Sequence, residues 1–255
     1  FFISGGKMRL FMILICFFTV PLFALDSSYL EKVHKKDLYL MQKLGIEVKE
    51  SFSEININWE MGEKALFDFA KSLLENKHDV MNAYKIFNYL SLSGGAKEEY
   101  QLYLGKCLYF IGELYYEGYI EKYYRQAYDI FTRLVDKNKK NIEYLRWKSF
   151  AAAKVGGFIR HRERGKFSGL SYLKESVSLN DDILDLNKAD QEAILTEAEY
   201  QIETDNIPVF GGSKEKGLKL YFQVLQKNPN NMRANLLIGK YFYENGNPKK
   251  SLEFL

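Results

Sequence analysis

The sequence predicts an all-α chain built from consecutive pairs of helices. Three observations lead there. Apolar residues recur at helical spacing through most of the chain, no stretch alternates as a half-buried strand would, and the breaks carry turn chemistry. With only 4 Pro in 255 residues, little interrupts those helices from within.

Taken in order, residues 28–45 place Leu30, Val33, Leu38, Met41 and Leu44 on one apolar stripe. Comparable patterns predict helices over 59–76, 80–92, 98–117, 122–137, 141–156, 168–179, 188–205, 214–228, 232–245 and 248–255. The breaks read SLSGGAK, DKNKKN, KVGGF, FGGSK, KNPNN and NGNP. Asn247 followed by Pro248 is an N-cap with Pro at the first helical position. The double glycines at 94–95, 156–157 and 211–212 are each expected to lie between helices.

The segment around Gly211 invites comparison with a phosphate-binding loop. Such a loop needs G-x-x-x-x-G-K-[ST] after a buried strand. Here Lys214 follows Ser213, and the preceding stretch is helical in pattern. The expectation is a corner with Ser213 capping the next helix.

The first residues read differently. Met8 and Arg9 precede an apolar run from Leu10 to Phe23, then Ala24, which is the pattern of a secretory signal over 8–24. A spanning helix needs about 20 apolar residues, so a retained anchor is the second choice. Cys16 follows Ile15 where a lipid-attachment site needs a small residue, which argues against a lipoprotein. Residues 1–7 read as untranslated leader, because Ser4-Gly5-Gly6 can be encoded by a bacterial ribosome-binding run. A bacterial, exported protein, periplasmic or otherwise extracytoplasmic, is therefore expected. Residues 26–58 form an N-terminal helix and linker, and 59–255 the helical repeats.

Removing residues 1–25 takes away Lys7 and Arg9, leaving 34 basic against 33 acidic side chains. That balance gives no electrostatic case for nucleic acid. Cys107 is then the one remaining cysteine, and its apolar surroundings suit a small buried hydrophobe better than a nucleophile. His34, His78 and His161 lie too far apart in sequence to form a helical ligand pair, so no metal and no cofactor is expected.

A period of about 34 residues underlies the helix pairs. Near the end, Ile238, Gly239, Phe242, Gly246, Ser251 and Leu255 fall at fixed offsets, and Gly217, Tyr221, Val224, Leu225 and Pro229 fit one unit earlier. Both alignments put the start of the last unit at Met232. Phe67, Ala70, Leu74, Ala83, Phe87 and Leu90 repeat the pattern, as do Leu108, Ile111, Gly112 and Tyr115 with Ala127, Phe131 and Leu134 after a longer loop. Over 141–179 either Leu145 or Trp147 opens the unit.

On these residues the sequence resembles the tetratricopeptide-repeat family, which implies a right-handed α-solenoid of helix pairs whose first helices line a protein- or peptide-binding groove. The stretch IPVFGGSKEKGLKLYFQVLQKNPNN is similar to the exported tetratricopeptide component associated with TRAP transporters. That likeness implies a partner among periplasmic solute-binding proteins and a small apolar ligand. The repeat pattern stops mid-helix at SLEFL, for which a fragment is the simpler expectation and an apolar end packed on another subunit, giving a homo-oligomer, the alternative.

Groove residues follow from spacing at i, i+4 and i+7 on a first helix. They are Tyr109, Glu113 and Tyr116 in one unit and Leu236, Lys240 and Tyr243 in the last. A basic loop carries Arg160, Arg162, Arg164 and Lys166, suited to an acidic partner or to lipid headgroups. An enzymatic alternative is a cell-wall or lipid-acting helical enzyme, since KESFSEIN resembles the E-S-x-F start of lytic transglycosylases with Glu50 as general acid. The G-L-M-Q-like turn which that family requires is absent. The reading is therefore a non-catalytic binding protein, with a general peptide-binding adaptor of an envelope assembly as its broader form.

Overall fold

The computed structural model describes residues 57–93, 97–114, 120–163, 169–205 and 211–254. Ten α-helices hold most of them, and no strand occurs among the described residues. They are α1 (Glu63–Glu75), α2 (Val80–Ser93), α3 (Glu98–Leu114), α4 (Ile120–Lys137), α5 (Ile142–Glu163), α6 (Leu170–Leu186), α7 (Gln191–Glu203), α8 (Lys214–Lys227), α9 (Met232–Glu244) and α10 (Pro248–Leu252). Helices pack as sequence neighbours: α1 on α2, α5 on α6, α7 on α8 and α9 on α10. The chain divides into two compact units between Ile130 and Phe131, inside α4.

In the first unit, Phe67, Phe87 and Tyr103 from α1, α2 and α3 meet with ring centroids 5.2–5.6 Å apart. Such contacts add about 0.5–1.5 kcal/mol each beyond the area they bury. The Tyr103 hydroxyl escapes the cluster to donate to Glu75 Oε1 at 2.9 Å. Cys107 is fully buried beside Leu108 and Ile111, and burial holds its thiol far above the ordinary range. It packs as a hydrophobe and is not poised as a nucleophile.

In the second unit each pair closes on small residues. Ser149 Oγ of α5 meets the Ser176 carbonyl and hydroxyl of α6 at 2.9 and 3.0 Å. Ala198 of α7 lies under Gly217 of α8, where an added Cβ would stand 2.7 Å from the Ala198 carbonyl. Ser251 Oγ of α10 donates to the Gly239 carbonyl of α9 at 2.7 Å. The Ser149–Ser176 contact settles the register of 141–179: Leu145 is the buried residue, and Trp147 lies half-buried between Phe131 and Phe150.

The double glycine at 156–157 departs from the sequence expectation. It does not separate two helices but lies inside α5, which runs on to Glu163. The reason is a second close approach. A Cβ on Gly156 would stand 2.8 Å from the Gly169 carbonyl and 2.9 Å from Leu173 Cγ, and Gly169 itself takes φ +73°. Arg160 and Arg162 consequently belong to α5, not to a loop. Likewise α6 does not stop near 179 but continues to Leu186, because Leu179 and Ile183 are buried and the Asn180 amide donates to the Ala193 carbonyl at 3.1 Å. By contrast Gly211 does form a corner, with φ +63°, and Ser213 accepts from the Lys216 amide as the cap of α8.

The adjacent glycines of α5 make a matched test. Gly156→Ala forces backbone apart and is expected to cost about 1–3 kcal/mol. Gly157 has nothing within 4 Å of an added Cβ, so Gly157→Ala is expected to gain about 0.5–1 kcal/mol from helix propensity. Urea unfolding of the two variants reads both signs; equal effects would remove the close-approach explanation.

Candidate functional site

Three corners of one design start α5, α7 and α9. At Asn138–Asn141, Asn187–Asp190 and Asn228–Asn231, the last amide donates to the carbonyl three residues back at 3.2, 3.0 and 3.1 Å. The fourth residue then caps the new helix: Asn141 accepts from Tyr144 N, Asp190 from Ala193 N and Asn231 from Ala234 N. Each cap is worth about 1 kcal/mol. These corners lie 49 and 41 residues apart (138 to 187 to 228), not at a strict 34-residue period.

Counting from the caps places equivalent side chains. Two residues on stand Glu143, Glu192 and Arg233; five on, Arg146, Leu195 and Leu236; nine on, Phe150, Glu199 and Lys240; twelve on, Ala153, Ile202 and Tyr243. Members of this set touch across the three first helices. Arg146 Nη2 donates to Asp190 Oδ2 at 2.5 Å, joining α5 to the cap of α7. Arg233 of α9 reaches α7, bonding Glu192 and, at 2.6 Å, Glu199. Its guanidinium also lies 5.9 Å from the Phe150 ring of α5. Lys240 approaches Glu203 to 4.0 Å.

The face is therefore a row of carboxylates on α7 flanked by cations and rings of α5 and α9. Burial works against the charge of Arg233, and the Glu199 and Glu192 carboxylates outweigh it, holding the guanidinium firmly protonated. The cavity lined by Arg146, Phe150 and Glu192 is too tight for a water molecule, so what it offers is a surface. No cluster of His, Cys, Asp and Glu suited to a metal ion occurs among the described residues, and none of their helices is long and apolar enough to cross a membrane.

The residues expected from sequence fall as follows. Leu236 and Lys240 are half-buried and Tyr243 is 49% exposed, all on the stripe of α9 that also carries Arg233. Tyr109 and Glu113 are brought together by Tyr124 of α4, whose ring lies 5.6 Å from that of Tyr109 and whose hydroxyl donates to Glu113 Oε1 at 2.7 Å. Arg160 is exposed on α5. Tyr116, Arg164 and Lys166 lie outside the described residues, as do the Arg162 side chain, Glu50, and the whole of 8–24 and 26–56. Sequence spacing missed Arg146, Phe150, Glu192, Glu199 and Arg233. Their signal is the repeated Asn-x-x-Asn/Asp corner, which fixes the count on all three helices.

No protein-family model matches this chain, and no curated protein matches it. Solved structures do. The crystal structure of TTC0263, a thermophilic TPR protein of Thermus thermophilus, superposes with a TM-score of 0.58 over 76% of this chain and 88% of that one, at 13% identity. YrrB, described as a TPR protein with an unusual peptide-binding site, gives a TM-score of 0.41 over 76% and 82%, at 18% identity. MamA gives 0.42 over 71% and 87%, at 15%. The fold is that of tetratricopeptide-repeat proteins.

A carboxylate on α7 offers a pH test. Burial, and then the nearby Asp181, raise the Glu197 carboxyl above its ordinary value, although Gln201 Nε2 donates to it at 2.7 Å. A carboxyl raised in the folded state destabilises the fold once ionised, and that cost disappears as pH falls below the unfolded value near 4.5. Glu197→Gln is expected to raise stability at pH 7 and to lose that gain toward pH 4. Unfolding midpoints across that range check it; a gain independent of pH would contradict the assignment.

Proposed function

We propose that this chain is a non-catalytic scaffold that binds a protein or peptide segment along the first-helix face of α5, α7 and α9. The observation that carries the reading is the placement of Phe150, Glu199 and Lys240 at equivalent positions on three stacked helices, with Tyr243 and Leu236 continuing the surface. Rings of α5 and α9 beside a row of carboxylates and a row of cations suit an extended polypeptide, which needs apolar anchors and hydrogen-bond partners at intervals. The tetratricopeptide fold supports the same class of role.

Peptide display on the immobilised full chain tests this, followed by anisotropy measurements on the enriched peptides. Phe150→Ala, Lys240→Glu and Tyr243→Ala are each expected to weaken binding by about tenfold or more, which corresponds to about 1.4 kcal/mol. Lys219→Ala, on the exposed side of α8, is expected to leave it unchanged. Failure to enrich any peptide, or equal loss from Lys219→Ala, would count against this face.

In its finer form the reading is of an exported component that partners a periplasmic solute-binding protein and carries a small apolar ligand. Support comes from the signal-like residues 8–24 and from the resemblance over 207–231, where Gly211 and Ser213 make the corner between α7 and α8. Native mass spectrometry of protein from the exported fraction tests it. A chain starting near Leu25 with a small adduct lost on denaturation is the expected result. Full-length, adduct-free protein in the cytoplasm would leave only the general scaffold.

A further inference from the structure

We propose that the carboxylates of α7 set the selectivity of the first-helix face, so that it takes an apolar, aromatic-bearing segment of a partner protein and refuses an acidic one. The inference rests on the reading that a polypeptide binds this face. Helix α7 carries Glu192, Glu197, Glu199 and Glu203 and no basic residue, and 170–205 as a whole hold ten acidic against two basic side chains. The cations come from the neighbouring helices. At the counted positions these are Arg146 of α5 and Arg233 and Lys240 of α9, and α7 or its cap engages all three. Arg146 bonds Asp190, Arg233 bonds Glu192 and Glu199, and Lys240 stands 4.0 Å from Glu203.

An acidic side chain arriving here therefore finds no cation at those positions without a carboxylate already beside it. It would have to share Arg233 with two carboxylates, or draw Lys240 from Glu203, and either way like charges are brought together. The field is negative in its own right: after burial, Glu199, Glu203 and Glu244 raise the Tyr221 hydroxyl, with Arg233 opposing them. What the face leaves for contact is uncharged. Phe150, Ala153, Ile202 and Leu236 are half-buried and Tyr243 is exposed. Arg233 adds to these. Two carboxylates hold its guanidinium, which lies 5.9 Å from the Phe150 ring, and the side chain keeps 31% of its surface open. A guanidinium fixed in this way offers its flat face to an aromatic ring, a contact that requires no carboxylate to be released.

Peptide display on the immobilised full chain, with the pool sequenced before and after selection, tests the selectivity. Wild type is expected to enrich Tyr, Phe, Trp and Leu and to deplete Asp and Glu by about tenfold. Glu203→Gln, at an exposed carboxylate, is expected to relieve most of that depletion, and Glu199→Gln to do the same. Glu215→Gln, on the exposed side of α8, is expected to leave the depletion as in wild type. One Glu placed in an enriched peptide is expected to weaken binding to wild type by about tenfold, and salt at about 1 M, where the Debye length is about 3 Å, to narrow that gap. A selected pool as acidic as the starting one, or more so, overturns the selectivity and leaves the polypeptide reading intact. So does a depletion that both glutamine variants leave unchanged. No enrichment of any peptide overturns both. If Glu199→Gln fails to fold, Glu203→Gln decides alone.

Discussion

Close approach of two helix backbones is the constraint on which the rest of this structure depends. A pair of helices separated by large side chains leaves a gap; a pair that meets at Ala, Ser or Gly lets the bulky residues on either side interdigitate. Ala70 and Ala83, Ser149 and Ser176, Ala198 and Gly217, and Gly239 and Ser251 are all at or near full burial. Around these contacts Phe87, Leu145, Ile183, Leu195 and Ile238 reach essentially complete burial. Where the small residue is a serine, its hydroxyl places its hydrogen bond on the partner helix, so the approach is made without an orphaned polar group.

The corners convert that pairwise packing into a shared face. A four-residue turn whose first member bonds through its backbone and whose last member bonds through backbone and side chain leaves little freedom in where the next helix begins. Asn138 and Asn187 even hold the intervening amides, of Lys140 and Ala189, on their own side chains. With the starts of α5, α7 and α9 fixed in this way, residues at equal counts fall on one surface. Ionic contacts such as Arg146 to Asp190 and Arg233 to Glu199 then become possible between helices that are remote in sequence.

The sequence made the helices and their pairing legible, because period and turn chemistry are local properties. It misjudged Gly156 and Gly157 for an instructive reason. Two glycines read alike whether they bend a chain or admit a neighbour, and only the Gly169 carbonyl against Gly156 tells the two apart. The end of α6 lies beyond the expected 179, since Asn180 is buried with its amide on the Ala193 carbonyl and Asn187 ends the helix. Of the candidate surface, Leu236, Lys240 and Tyr243 followed from counting within one helix. Phe150, Glu199 and Arg233 did not, since they meet only after three corners have been matched, and the search for a fixed 34-residue spacing hid that match.

Length variation in this chain falls where it leaves the shared face intact. The corners sit between the second helix of one pair and the first of the next, and all three keep four residues. The extra residues of the 138–187 unit go instead into α5, which has 22 residues against 13 in α7 and 13 in α9. Nine additional residues lengthen a helix by about 14 Å. The extension starts beyond the last counted position and is fitted to the fold by Gly156, which lets α6 return directly against it. An insertion between Asn141 and Phe150 would shift Phe150, and if early enough Arg146, against Glu192 and Arg233; placed after the count has ended, the added residues give surface, including exposed Arg160, at no cost to the register.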